Sequence, residues 1–479
     1  MNYSQFFEMG PEVMLIIGLL MVFFYDFALT NSDKRLSRLW DLTCTLLILA
    51  TLNLIRYAVE PTTAFGGIYV TSEMVNVMKI ILTMGTLIVV IMSKTWLETN
   101  KKISGEFFML VLSTLLGMYM MMSSGSFLMF FLGLEMASVP MACMVAFDKN
   151  RKNSAEGAAK YILVATFSSG VMLFGISFLY AATGSLYFED VADELTTSPL
   201  TIMGLVFFFS GLGFKISLVP FHFWTADTYQ GAPTPVTGYL SVVSKGAAAL
   251  TLCIILTKVF DSMIDYWNPL LWIVIMLSIT VANLFAIRQN ELKRFMAFSS
   301  ISQAGYIMLA VIGGDAQVGA TALTFYVLVY VAANMAVFTV ISAVENNGGS
   351  TMMSAYNGLY STNPKLALLM TLALFSLAGI PPFAGMFSKF FVFLAAVNGH
   401  NGAPFWPYFV VFVALVNTVI SLYYYLLIVK AMYITKEENP LPAFSMDGAT
   451  KISLVLCTAG ICLLGVVSCI YEWIAGAAL

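Results

Sequence analysis

The chain has 479 residues, of which 59% are hydrophobic and only 10% charged, with a formal net charge of -3. A water-soluble domain carries about 25% charged residues, so this composition excludes a solvated globule and leaves a surface that faces lipid. A slightly acidic balance without a basic run also excludes nucleic acid as a partner and makes the lipid bilayer the first one.

Apolar runs occupy residues 10–27, 40–58, 73–93, 106–122, 126–147, 157–182, 200–230, 236–259, 268–287, 295–312, 317–344, 364–398, 406–434 and 450–474. Most approach the ~20 residues that carry a helix across ~30 Å of hydrocarbon. The pattern predicts an all-α membrane protein with about 14 transmembrane helices. The first run starts near Pro11 without a basic leader or a small-residue cleavage site, so a retained span is expected there rather than a signal peptide. The six cysteines (Cys44, Cys143, Cys253, Cys457, Cys462, Cys469) never form C-x-x-C and mostly sit within apolar runs, where they read as small hydrophobes. Two histidines, His222 and His400, are too few for a bis-His haem pocket or a His-rich metal site. No phosphate-binding G-x-x-x-x-G-K-[ST] loop occurs, and Gly211 and Gly213 lack the third glycine of a dinucleotide fingerprint. The energy for any transport is therefore expected from an ion gradient or from a partner.

Basic residues fix an expected orientation. Alternate loops carry Lys34, Arg35 and Arg38; Lys94, Lys101 and Lys102; Lys149, Arg151 and Lys152; Arg288, Lys293 and Arg294; and Lys365 and Lys436. The opposite loops hold little beyond Arg56 and Lys258, and one of them is acidic (Glu189, Asp190, Asp193, Glu194). Positive loops stay on the inner side, which puts both termini on the outer one.

An internal repeat runs through the middle of the chain. Ala-Lys-Tyr-Ile-Leu-Val at 159–164 returns as Thr-Phe-Tyr-Val-Leu-Val at 324–329, and the seventh and twelfth runs are interrupted by Pro220 and by Pro381-Pro382 at nearly the same offset. The offset spans five helices. Five is odd, so the second copy must cross the membrane upside down, and inverted repeats with matched helix breaks mark secondary transporters, with the working site at the breaks. The expected division is 1–105 for three N-terminal helices, 106–260 for the first repeat, 268–434 for the second, and 450–479 for a last helix.

Within the spans lie charges that lipid does not tolerate: Glu135, Lys160, Lys215, Lys245 and Lys389. A charge at a helix centre costs about 2.5–3.5 kcal/mol on an insertion scale, so such residues face protein or water and mark ion pathways. Lys215 and Lys389 stand beside the proline breaks, where freed carbonyls and water solvate an ammonium. A lysine suits a proton relay because burial and a mobile carboxylate act on it in opposite senses. Glu135 is the natural partner of Lys215, against the plainer reading of a static ion pair. His222 is placed to bridge Lys215 and Lys245 as a neutral carrier, against a packing role. Lys160 lies nearer a helix end, within snorkelling reach. Glu12, Asp26 and Lys79 lie close to helix ends and read as interfacial. Tyr326, Tyr330 and Asn334 share one helix face, suited to holding water or to packing.

Three stretches, "FLGLEMASVPMACMVAF" (131–147), "GFKISLVPFHFWTADTYQGAPTPVTGYLSVVSKGAAA" (213–249) and "AGIPPFAGMFSKFFVF" (378–393), closely resemble the antiporter-like membrane subunits of respiratory complex I, and the resemblance covers nearly the whole chain. Among the subtypes the chain is most similar to the N-type subunits of bacterial NADH–quinone oxidoreductase. "GAPTPVTGYLSVVSK" carries that reading, together with Lys389 where the M-type has a glutamate and the lack of the L-type lateral helix. The resemblance implies two inverted five-helix bundles with flanking helices. It implies a proton relay at Glu135, Lys215, Lys245 and Lys389, with Lys160 and His222 also on family positions. It further implies a bacterial inner-membrane location, membrane-arm and peripheral-arm partner subunits, and FMN, iron–sulfur clusters and quinone bound by those partners. Ala142 and Cys143 follow Pro140 where bulkier residues are common, a mild departure. Two rival functions remain: a subunit of a multi-subunit sodium/proton antiporter, which shares these motifs, and a non-pumping structural membrane subunit.

Overall fold

The computed structural model describes residues 4–29, 32–58, 61–99, 103–149, 151–398, 405–438 and 440–479. Lys101, Lys102 and His400 lie outside the described residues. Among those described, 13 helices are long and apolar enough to cross a membrane. In chain order the helices that matter are α1 (Gly10–Ala28), α2 (Arg35–Tyr57), α3 (Glu73–Glu98), α4 (Ser104–Met122), α5 (Phe127–Val145), α6 (Lys152–Thr183) and α7 (Pro199–Ile216). They continue with α8 (Phe223–Gly231), α9 (Thr234–Val259), α10 (Asp261–Ala286), α11 (Leu292–Ile312) and α12 (Ala316–Asn346). The series closes with α13 (Pro364–Ala378), α14 (Ala384–Val397), α15 (Phe405–Tyr433) and α16 (Gly448–Val466). The pairs α7–α8 and α13–α14 each make up one apolar run, so the chain is an all-α, multi-pass membrane protein. A short hairpin of β1 (Thr63–Ala64) and β2 (Tyr69–Val70) follows α2.

Side-chain oxygens satisfy the first turns of several helices, where backbone N–H groups have no partner of their own. Ser126 caps α5 through Met129 N, Ser198 and Thr201 form a capping box on α7, and Asp447 caps α16 through Thr450 N. Lipid tails are as apolar as leucine, so helices associate through close packing at small residues. A Cβ on Gly133 would collide with Met121 N, and one on Gly117 would collide with Ala137 N, so α4 and α5 meet backbone to backbone. Burial sorts the helices by role. α3, α9, α11 and α12 are almost wholly enclosed, whereas α1, α2, α6 and α15 leave most of their surface for lipid or partners.

Two interruptions expose backbone groups deep in the bundle. α7 stops at Ile216, where Ser217 takes left-handed φ/ψ, and the free N–H of Val219 donates to Ser278 Oγ of α10 at 2.9 Å. α13 stops at Ala378, where Gly379 has φ +88°, and Gly385 N donates to Ser376 Oγ at 3.2 Å. Polar backbone at membrane depth is tolerated only where it is re-satisfied, and these two bonds do so although Pro220, Pro381 and Pro382 themselves are exposed.

Candidate functional site: a row of buried lysines

Five lysines are buried among the described residues, Lys79, Lys215, Lys245, Lys293 and Lys389, and three of them stand where a helix is distorted. Lys215 lies in the last turn of α7, Lys245 follows a π-helical turn at Leu240–Ser244, and Lys389 lies in α14 just past its break. π-turns within helices are frequent at functional sites because they turn one residue out of register. All three are buried, between 1% and 4% exposed.

Their partners are neutral. The Lys215 ammonium donates to Ser138 Oγ at 2.8 Å and to the Tyr161 hydroxyl at 3.3 Å. Lys245 donates to Ser300 Oγ at 2.9 Å and lies 5.5 Å from the Tyr229 ring centre. Lys389 donates to the freed carbonyl of Ala378 at 3.0 Å and lies 4.9 Å from the Tyr306 ring centre. Among the described residues none of the three has a carboxylate within ion-pair distance.

Glu135 lies one helical turn before Ser138 on α5 and accepts from Ser169 Oγ of α6 rather than from Lys215. Ser138, which accepts from Lys215, follows it on the same helix. His222 is buried and stacks on Phe223, its Nδ1 has no hydrogen-bond partner, and it bonds to neither Lys215 nor Lys245. The Lys160 side chain is 43% exposed and pairs at 2.6 Å with both Glu156 and Asp227. Asp227 of α8 also binds Arg294 of α11 at 2.5 Å, so this ion-pair cluster ties α6 and α8 to α11.

α11 supplies the connection between Lys245 and Lys389. Ser300 meets Lys245, and Gln303 donates to the Tyr425 hydroxyl at 3.2 Å and accepts from the Tyr326 hydroxyl. Tyr306 faces Lys389. A cavity of about 10 Å³, lined by Gln303, Tyr326, Tyr330, Ser376 and Lys389, adjoins the ammonium. That is about the smallest space that holds one water, and the buried Tyr330 hydroxyl beside it has no protein partner. On the same face of α12, Asn334 donates to Ser241 of α9 at 2.5 Å.

Sequence reasoning passed over Ser138, Tyr161, Tyr229, Ser300, Gln303 and Asp227. A signal existed for some of them: Ser299, Ser300, Ser302 and Gln303 form a polar cluster inside an apolar run, and that run is the most enclosed helix of the protein. One expectation is overturned. Glu12 and Lys79 are not interfacial but form a 2.7 Å ion pair with both side chains 0% exposed. Tyr69 of β2 and Ser123 after α4 both donate to Glu12, at 2.9 and 3.4 Å. Asp26, by contrast, pairs with Arg35 at 2.6 Å and keeps partial exposure.

The chain as a whole is similar to known membrane proteins. A family profile described as NADH:quinone oxidoreductase/Mrp antiporter, TM matches residues 124–421. The chain is 55% identical to NADH-quinone oxidoreductase subunit N of Phocaeicola vulgatus, over 100% of both chains. It is 50% identical to the protein of that name from Azobacteroides pseudotrichonymphae, over 99% of this chain and 98% of the other. Among solved structures, a chain of respiratory complex I from Thermus thermophilus with bound aureothin superposes with a TM-score of 0.79 at 31% identity, covering 96% of this chain and 98% of that one. A chain of the Mrp complex from Dietzia shares the fold, with a TM-score of 0.85 at 19% identity over 99% of this chain and 97% of that one.

Proposed function

The chain belongs to the family of NADH-quinone oxidoreductase subunit N, the antiporter-like membrane-arm subunit of respiratory complex I, and from that premise we propose that Glu135, Lys215, Lys245 and Lys389 carry protons through it. The complex is a proton-translocating NADH:quinone oxidoreductase whose cofactors reside in other subunits; in our reading these are FMN, iron–sulfur clusters and the quinone site. In the same reading both termini face the outer side of the bacterial inner membrane, residues 106–260 and 268–434 form the two inverted halves, and Lys160 and His222 take a lesser part in the relay of the first.

One observation carries the proposal: Lys215, Lys245 and Lys389 are buried and held by hydroxyls and a carbonyl, and among the described residues no carboxylate is within ion-pair distance to lock them in the charged form. A structural lysine inside a membrane protein needs a fixed counter-charge, because a buried unpaired charge costs several kcal/mol. A lysine with neutral partners is instead ready to exchange its proton. Moving one proton against roughly 200 mV costs about 5 kcal/mol. The chain's own side chains supply no such energy, so it must arrive through a neighbouring subunit, with Glu135 the group that responds. A carboxylate that swings from Ser169 toward Ser138 stabilises the Lys215 ammonium, and its return releases the proton along Tyr229 and Ser300 to Lys245. From there Gln303 and the one-water cavity lead to Lys389.

Glu135→Ala tests this reading. It is expected to leave the complex assembled while depressing proton transport in reconstituted vesicles, with Glu135→Asp milder because the charge stays and only its reach shortens. Normal pumping by Glu135→Ala would remove Glu135 from the mechanism.

A further inference from the structure

Lys389 has more donors than its protein partners use. An ammonium carries three N–H groups, and among the described residues one hydrogen bond leaves Nζ, to the Ala378 carbonyl at 3.0 Å. The Tyr306 ring, 4.9 Å away, offers only its π face. A buried ammonium with donors to spare needs a further acceptor.

The cavity of about 10 Å³ beside it brings polar groups together. Tyr330, Gln303 and Ser376 line it along with Lys389. Tyr330 is 2% exposed, and its hydroxyl has no hydrogen-bond partner. The Gln303 carbonyl oxygen accepts from the Tyr326 hydroxyl, which leaves it one lone pair, and Ser376 Oγ accepts from Gly385 N at 3.2 Å. A buried water requires about one probe sphere of space and two to four polar partners. This cavity has that space, and four polar residues line it.

The same face of α12 reaches toward the other central lysine. Asn334, one turn beyond Tyr330, donates to Ser241 of α9, which lies one turn before Lys245. The Asn334 Oδ1, like the Tyr330 hydroxyl, is buried without a partner. Packing alone does not account for Tyr330. Phenylalanine would fill the same space and strand no hydroxyl, and a stranded one lowers stability.

We propose that Tyr330 is a positioning residue that holds one water molecule in hydrogen-bond contact with Lys389. The inference deepens the relay reading above and rests on it. The water serves Lys389 in both of its states, accepting a hydrogen bond from the ammonium and donating one to the free amine. The Ala378 carbonyl serves only as an acceptor, so without the water the free amine has no donor and the ammonium keeps a single oxygen. Tyr330 acts through the water and makes no bond to the lysine itself.

The test uses the whole complex, with density maps by electron cryomicroscopy and NADH-driven proton transport in vesicles. Wild type is expected to show a water peak between Tyr330 Oη and Lys389 Nζ. Tyr330→Phe is expected to assemble, to lose the peak and to lower transport about tenfold or more, the effect of losing one hydrogen bond to a charged group. Tyr356→Phe is the control. Tyr356 is also buried with an unpartnered hydroxyl, but it does not line this cavity, and its variant is expected to keep both the peak and transport. A wild-type map without the peak overturns the inference, as does normal transport by Tyr330→Phe or an equal loss in Tyr356→Phe. If Tyr330→Phe fails to assemble, the wild-type map decides. Lys389→Met, measured alongside, separates the two readings. Loss there with normal transport in Tyr330→Phe removes the positioning role alone, whereas normal transport by Lys389→Met removes the relay and this inference with it.

Discussion

Gly379→Ala separates the geometry around Lys389 from general damage to the helix break. Gly379 has φ +88°, and a Cβ built on it lies 3.0 Å from Lys389 Cδ and 3.5 Å from Nζ. Two costs follow. A non-glycine residue in left-handed conformation costs about 1–2 kcal/mol. The lysine must also shift, which strains or breaks its 3.0 Å hydrogen bond to the Ala378 carbonyl, and a bond from a charged donor is worth about 1.5–3 kcal/mol. Only the second cost falls on proton transfer, where it amounts to roughly 10- to 100-fold in rate. Gly184→Ala is the control, because Gly184 has φ +73° with nothing within 4 Å of its Cβ. It pays the backbone cost and touches no lysine. Proton uptake by vesicles during NADH oxidation, normalised to assembled complex, should fall steeply for Gly379→Ala and little for Gly184→Ala. Equal rates for the two variants would refute the claim that the position of the Lys389 ammonium matters.

Further outcomes follow from packing and from orientation. Gly133→Val is expected to prevent incorporation of this subunit, seen as its loss from purified complex, because α4 and α5 must part. Gly170→Ala, with open space around its Cβ, should incorporate normally. Membrane-impermeant thiol reagents applied from outside should label a cysteine placed at Asp193 and spare one at Arg151; the reverse would overturn both the orientation and the inverted repeat.

The bilayer makes much of this fold legible in the sequence. A span must be apolar over a fixed length, so α1 to α6 stand out in a linear reading, and Lys215, Lys245 and Lys389 stand out because charge inside such a run is conspicuous. Their partners are not legible in the same way. Ser138, Ser300 and Tyr161 are ordinary residues for a membrane helix, and only tertiary packing decides which of them meets an ammonium. The same limit explains Glu12 and Lys79. Hydropathy places them near helix ends and so near water, but it does not see the Tyr69 and Ser123 hydroxyls that meet Glu12 there. For Lys160 the difficulty runs the other way. Its helix, Lys152–Thr183, has 32 residues, more than ~30 Å of hydrocarbon requires, which leaves room for a lysine of the apolar run to stand in solvent beside Asp227.

The most direct test of the relay is redox-linked proton transport by Lys389→Met and Lys389→Arg in complexes shown to be intact. Methionine keeps much of the length and cannot titrate; arginine keeps the charge and does not release its proton near neutral pH. The neutral partners of Lys389, the Ala378 carbonyl and the Tyr306 ring, are suited to a group that gains and loses charge, so both variants are expected to stop transport. Full transport by the arginine variant would contradict the proton-carrier role and leave Lys389 as a fixed charge.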